Sequence, residues 1–168
     1  MALPPVTPAR GPVYFGVGSF YEVQSPEEVI DIGRFGVRAI AGVDDVIGGL
    51  GFRVSADYGR FGPVFDDGNF TGNLAVAGML TYSPLPAGSA FDIYLALGGG
   101  YQFQLDPGFG FESPFAEARL GLDFSLFGLG LFAEGGISYY LPELTGGVLP
   151  AGIDPIYPSA AVGLLIRP

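Results

Sequence analysis

Glu22, Arg34, Arg38, Arg53, Asp57, Asp92, Glu117, Arg119, Asp123 and Glu134 each fall on the parity opposite the apolar residues within long stretches that alternate apolar and polar residues. Arginine carries a planar fork of five N–H donors and serves two carboxylates at once, so arginines and acids sharing one enclosed face are suited to ion pairing. Arg34, Arg38, Arg53, Asp57, Glu117, Arg119, Asp123 and Glu134 are therefore read as an ion-pair network. The same residue types admit two other chemistries. A file of ionisable groups can relay protons or ions, and a carboxylate pair can cleave glycosides. The chain contains no histidine, which excludes Ser-His and Asp-His catalysis. It also contains no cysteine, so neither a disulfide frame nor a zinc-thiolate site is available. A cavity packed with arginine leaves a sugar no room, so no enzyme activity is expected.

The elements that carry these residues are strands. Phe91, Ile93, Leu95, Leu97, Tyr101, Phe103 and Leu105 alternate with Asp92, Tyr94, Ala96, Gly98, Gly100, Gln102 and Gln104. Successive side chains of a strand point to opposite faces, so this segment divides two environments. It also exceeds the roughly 5 to 6 residues usual for strands of soluble sheets. Eight such segments run from Pro12 to Val23, Ile32 to Val43, Ile47 to Arg60, Phe70 to Tyr82, Ala90 to Leu105, Pro114 to Leu126, Leu129 to Leu141 and Ser159 to Arg167. The connectors alternate in length. Those at Gln24 to Asp31, Phe61 to Asn69, Asp106 to Ser113 and Pro142 to Pro158 are long and rich in acid, Pro and Gly. Those at Asp44 to Val46, Ser83 to Ser89 and Phe127-Gly128 are tight. Membrane barrels combine long extracellular loops with short periplasmic turns, which puts both termini on the periplasmic side.

Composition points the same way. Hydrophobic residues make up 49% of the chain and charged residues 14%. The longest charge-free stretch, Gly68 to Phe91, is interrupted by Pro84, Pro86 and Gly88, whereas a spanning helix needs roughly 20 unbroken apolar residues. In lipid only helices and closed barrels satisfy every backbone polar group, so an apolar chain without such a helix reads as a barrel. Aromatic residues collect where hydrocarbon meets headgroup. Tyr21, Tyr58, Tyr101 and Tyr139 lie on the lipid-facing parity near the long connectors, and Tyr82, Phe91 and Phe124 lie near the tight ones, giving two girdles. The expected architecture is an all-β, eight-stranded antiparallel up-and-down transmembrane β-barrel spanning residues 12–168, preceded by a periplasmic segment, residues 1–11. Met1 to Pro12 has neither the basic nor the apolar region of a signal peptide, so Met1, with Ala2, reads as a start placed on a mature chain.

Other motifs carry less. Gly128 to Ala133 fits a dinucleotide fingerprint, but strand alternation resumes through Leu129, Leu131 and Ala133 where that motif requires a helix. Asn69-Phe70-Thr71 fits a glycosylation sequon and reads as a polar loop end. The long connectors are acidic, which argues against nucleic acid as a partner. Their acids Asp66, Asp67, Asp106 and Glu112 are the candidates for a loop-bound divalent cation such as calcium, although solvated loop acids are the more economical reading.

With strands, girdles and an Arg/acid lumen in place, the chain resembles the membrane domain of the outer membrane protein A family of small bacterial barrels. The interior arginines Arg38, Arg53 and Arg119, set opposite Glu117 and Glu134, are the nearest match. The resemblance implies a monomer in the bacterial outer membrane, in contact with lipid and glycolipid, with a structural role in envelope integrity. A narrow porin-like channel for water, ions or small solutes is the alternative. No peptidoglycan-binding domain is expected beyond Pro168, so a wall-anchoring role is not carried over from larger family members, and the last strand ends in Ile166-Arg167-Pro168 rather than in an aromatic residue. Abundant Gly, Ala, Pro and Arg without lysine resembles the product of a GC-rich genome and suggests a short barrel-only member from a thermophilic bacterium.

Overall fold

The computed structural model of the protein describes residues 13–23, 32–63, 71–85, 89–106, 111–126, 128–147 and 154–168. Eight strands form one closed antiparallel barrel in which each strand pairs with its neighbours in sequence and the last returns to the first. They are β1 (Val13–Val23), β2 (Ile32–Ile47), β3 (Leu50–Pro63), β4 (Thr71–Tyr82), β5 (Phe91–Gln104), β6 (Ser113–Leu126), β7 (Leu129–Tyr140) and β8 (Ile156–Ile166). The seam is a continuous ladder from Phe15↔Ile166 to Glu22↔Ser159. Closure leaves no edge strand, so every ladder is spent within the wall. The segment before β1 lies outside the described residues.

Several boundaries differ from the sequence reading, and β3 runs on to Pro63 rather than ending at Arg60. The β2–β3 turn sits at Gly48 and Gly49 rather than at Asp44 to Val46, and β2 continues through those residues with an irregularity between Val43 and Ile47. The reason is conformational. Gly48 and Gly49 have φ of 59° and 84°, which glycine adopts without a steric penalty. Asp45 instead braces the turn, its Oδ1 accepting from the Gly49 N–H at 2.8 Å. β8 begins at Ile156, ahead of the expected Ser159, and Pro158 stands near its start instead of ending the loop. Between β7 and β8 a short 3-10 turn, Pro142–Thr145, opens the long connector.

The wall is apolar outside and polar inside. Along β5 and β6 exposed and buried positions alternate almost residue by residue. Leu95, Leu97, Val76, Leu120 and Leu131 all point outward and are exposed. Of the girdle residues, Tyr21, Tyr58, Tyr82, Phe91, Phe124 and Tyr139 are exposed. Tyr101 is half-buried and leans on Phe103, with ring centroids 4.8 Å apart. Phe91 and Phe124 face each other in register across β5 and β6. The ten residue steps from Phe91 to Tyr101 span about 34 Å of strand, and a tilt of about 45° reduces that to roughly 24 Å of membrane depth. This matches the ~25 Å apolar band of an outer membrane. A closed barrel with such an exterior is a transmembrane barrel.

That match predicts a depth profile. Arginine at Leu97 or Leu120, midway between the girdles, should destabilise the barrel by about 2 to 4 kcal/mol in lipid vesicles, whereas arginine at Phe91 should cost about 0 to 1 kcal/mol. Equilibrium unfolding of the three variants measures this, and equal costs at both depths would remove the bilayer-facing band.

Candidate functional site

The inner face is where chemistry-bearing residues meet. Strand register makes the first two contacts. Arg38 on β2 and Asp57 on β3 are direct partners, and so are Glu22 on β1 and Arg34 on β2. Arg38 grips Asp57 with both edges of its fork, Nε donating to Oδ1 at 2.8 Å and Nη2 to Oδ2 at 2.7 Å. Arg34 Nη2 lies 2.8 Å from Glu22 Oε2. Its Nη1 donates to Gln102 Oε1 at 3.0 Å. On β6, Arg119 folds back onto Glu117, its Nε donating to Oε2 at 2.9 Å.

Glu134 on β7 joins these pairs. Arg38 Nη1 donates to its Oε2 at 3.0 Å and Arg119 Nη1 to the same oxygen at 3.3 Å. Arg53 reaches its Oε1 from β3, and the Tyr94 hydroxyl donates to Oε1 from β5 at 2.5 Å. Arg53 also donates from Nε to Tyr14 Oη at 3.0 Å. One carboxylate thus draws in groups from across the lumen. Its three guanidiniums are buried, as is Glu134 at 5% exposure. Aromatic faces supply a second layer, with Arg34 4.9 Å from the Phe20 ring centroid and Arg53 4.7 Å from that of Tyr94.

Small residues create the space. A Cβ on Gly136 would come within 2.9 Å of Arg119 Cγ, one on Gly18 within 2.9 Å of the Phe132 ring, and one on Gly121 would meet the Tyr94 ring. Arg119, Phe132 and Tyr94 each lie over a glycine of an adjoining part of the wall.

Asp123 is buried and ion-paired, but not with the arginines around Glu134. It lies four positions beyond Arg119 on β6, about 13 Å along the strand. Gly121, midway between them, is the register partner of Glu134, so Asp123 lies on the tight-turn side of that carboxylate and Arg119 on the other, and the Asp123 Oδ2 receives Arg167 Nη2 at 2.5 Å. Arg167 Nη1 donates to Asp44 Oδ2 at 2.7 Å. Sequence reasoning counted four inward arginines and missed this one. The signal was present: Tyr157, Ala161 and Leu165 on β8 are buried on the same odd parity, which reaches Arg167 one step past the strand. Burial works against the Arg167 charge, but Asp123 and Asp44 outweigh it and hold the guanidinium more firmly protonated than in water.

The opposite, long-connector end is closed by aromatics. Tyr140 meets Phe111 and Tyr157 edge-on, with centroids 5.0 and 5.1 Å away, and Phe115 completes the group. Phe111 belongs to a connector and carries no strand parity, so no sequence signal marked it; Gln102 Nε2 donates to its carbonyl at 3.1 Å. As for a loop cation, Asp66 and Asp67 lie outside the described residues, and Asp106 and Glu112 are exposed. No three acidic, histidine or cysteine side chains converge as metal ligands among the described residues.

No protein-family model and no curated protein matches the sequence. Solved structures do. Neisserial surface protein A (NspA) aligns over 92% of this chain and 96% of its own, with a TM-score of 0.64 and 15% identity. The outer membrane protein OprG from Pseudomonas aeruginosa aligns over 96% of this chain and 98% of its own, with a TM-score of 0.57 and 13% identity. The similarity gives no support to a thermophilic origin. What this chain shares with both proteins is the fold, that of a small β-barrel of the bacterial outer membrane.

Proposed function

We propose that this chain is a monomeric bacterial outer-membrane β-barrel with a structural role in the envelope, in contact with lipid and glycolipid, and that Arg/carboxylate pairs plug its lumen. One observation carries the plug: Arg34, Arg38, Arg53 and Arg119 meet Glu22, Asp57, Glu117 and Glu134, all buried, so that four positive and four negative charges balance inside the wall. Eight strands enclose a lumen about as wide as its side chains, which leaves no continuous water path past such a layer. The fold shared with NspA and OprG supports the location. A cavity of about 130 Å³ at the tight-turn end supports the narrow-channel reading as the second choice.

Planar bilayers separate the two. Purified protein should show little steady conductance, and large, stable single-channel steps would overturn the plug. An envelope role predicts that cells lacking the protein become more sensitive to detergent and regain resistance when it is restored; unchanged sensitivity would remove that role.

The plug also predicts a stability cost. Truncating Glu134 or Arg38 to alanine leaves buried charge uncompensated and should destabilise the barrel by about 3 to 5 kcal/mol in detergent unfolding measurements. Losses within the range of ordinary surface substitutions, about 0.5 kcal/mol, would show that the pairs are solvated and the lumen wet.

A further inference from the structure

Arginine is the only basic residue type in this chain. Arg34, Arg38, Arg53, Arg119 and Arg167 are all buried and ion-paired within the barrel. Arg60 is treated differently. It follows Phe52, Val54 and Tyr58 on the outward parity of β3, its side chain is exposed, and it pairs with no acid among the described residues. Ten residue steps separate it from Leu50 at the tight turn, about 34 Å of strand, which a tilt of about 45° makes roughly 24 Å of depth. Arg60 therefore stands at the long-connector edge of the ~25 Å apolar band, where an arginine stem lies along the hydrocarbon and its guanidinium reaches the headgroups. Its surroundings have two unlike flanks. Phe35 on β2 is its register partner and Tyr21 on β1 is that of Phe35, so the three stand side by side on consecutive strands, with Tyr58 two positions before Arg60. All three rings are exposed, and Tyr21 and Tyr58 each bring a phenolic O–H donor. On the other flank Gly72 is the register partner of Arg60, and a Cβ there would come within 2.7 Å of Asp106 Oδ2. A carboxylate on that side repels an anion, so the open side of the guanidinium is the aromatic one.

We propose that Arg60, with Tyr21, Phe35 and Tyr58, forms a docking patch on the outer wall of β1–β3 for the phosphate group of an outer-leaflet glycolipid. The guanidinium fork matches two phosphate oxygens at once, the phenols supply further donors, and the rings back the apolar part of the lipid next to its headgroup. Charge complementarity selects this occupant. The chain carries a net charge of −10, yet the charge it leaves unpaired on this stretch of lipid-facing wall is positive, so the counter-ion of Arg60 comes from the membrane. The proposal rests on the reading of this chain as an outer-membrane barrel in contact with glycolipid, and narrows that contact to one guanidinium and one lipid group.

The test mixes the full chain in detergent micelles with lipid A, a phosphorylated glycolipid, and counts bound lipid by native mass spectrometry. Arg60→Gln should raise the apparent Kd about fivefold or more, the factor expected for removing one cation from a phosphate at the membrane surface. Lipid A stripped of its phosphates should bind the wild type no better than intact lipid A binds Arg60→Gln. Inorganic phosphate at millimolar concentration should not displace the lipid; displacement would assign the patch to the free ion and overturn the lipid. A second variant separates the patch from general surface charge. Tyr139 is an exposed girdle residue on β7, across the barrel from β3, and adding Tyr139→Arg to Arg60→Gln returns the net charge on the wrong wall. Binding should stay weak, and full recovery would overturn the patch. Insertion into phosphatidylcholine vesicles checks the underlying reading separately. A wild type that inserts but binds lipid A no better than Arg60→Gln does overturns the patch alone, whereas a wild type that fails to insert overturns both.

Discussion

An eight-stranded barrel has an interior only about as wide as the side chains that point into it, so a charge placed there must find its counter-charge in the wall itself. Glu134 is where that constraint is met. Its carboxylate on β7 receives Arg38 from β2, Arg53 from β3, Tyr94 from β5 and Arg119 from β6. None of those residues except Arg119 lies on a strand adjacent to β7. The contacts therefore act across the lumen rather than along a ladder, and they hold the wall from inside as the backbone bonds hold it around its circumference. An uncompensated Glu134 would be far costlier than any single lost ladder bond, because a desolvated charge has no solvent to fall back on.

Volume follows from the same narrowness. Curving the sheet tightly crowds the inner Cβ positions, so large inward side chains are accommodated only over positions that have no side chain. Tyr94 over Gly121, Phe132 over Gly18 and Gly163, and Arg119 over Gly136 form such pairs. Glycine in a strand ordinarily weakens it by leaving nothing to pack. Here the void is filled by a side chain from another strand, the adjacent one for Gly121, Gly136 and Gly163 and one strand further for Gly18, and the loss is offset by contacts of the larger partner.

The two ends of the lumen differ in kind. At the long-connector end Phe111, Phe115, Tyr140 and Tyr157 close the barrel with apolar contact. At the tight-turn end the closure is ionic, through Arg167, Asp44 and Asp123. Between them the charges cancel. That gradient, from aromatic cap through balanced ion pairs to an ionic mouth, gives the lumen a polarity along its axis.

How much of this was legible without a structure depends on the range over which each feature acts. Strand count, the outward parity of Leu97 and Leu120 and the inward parity of Arg38 and Asp57 follow from alternation alone, because a pleat fixes side-chain direction residue by residue. Turn position was less legible: Asp44 and Asp45 carry turn-like chemistry and Asp45 does take a positive φ of 51°, yet the chain reverses at Gly48 and Gly49, where the register of β2 on β3 places the turn. Phe111 had no local signal, since it reaches the lumen from a connector. Alternation likewise gave each charged residue a face but not a depth, which is why Asp123 was grouped with Glu134 although it meets Arg167 nearer the other end. Which arginines serve Glu134 was decided only by closure, because Arg38 and Arg53 come from β2 and β3, which do not pair with β7, and are brought within hydrogen-bonding distance by the barrel's radius.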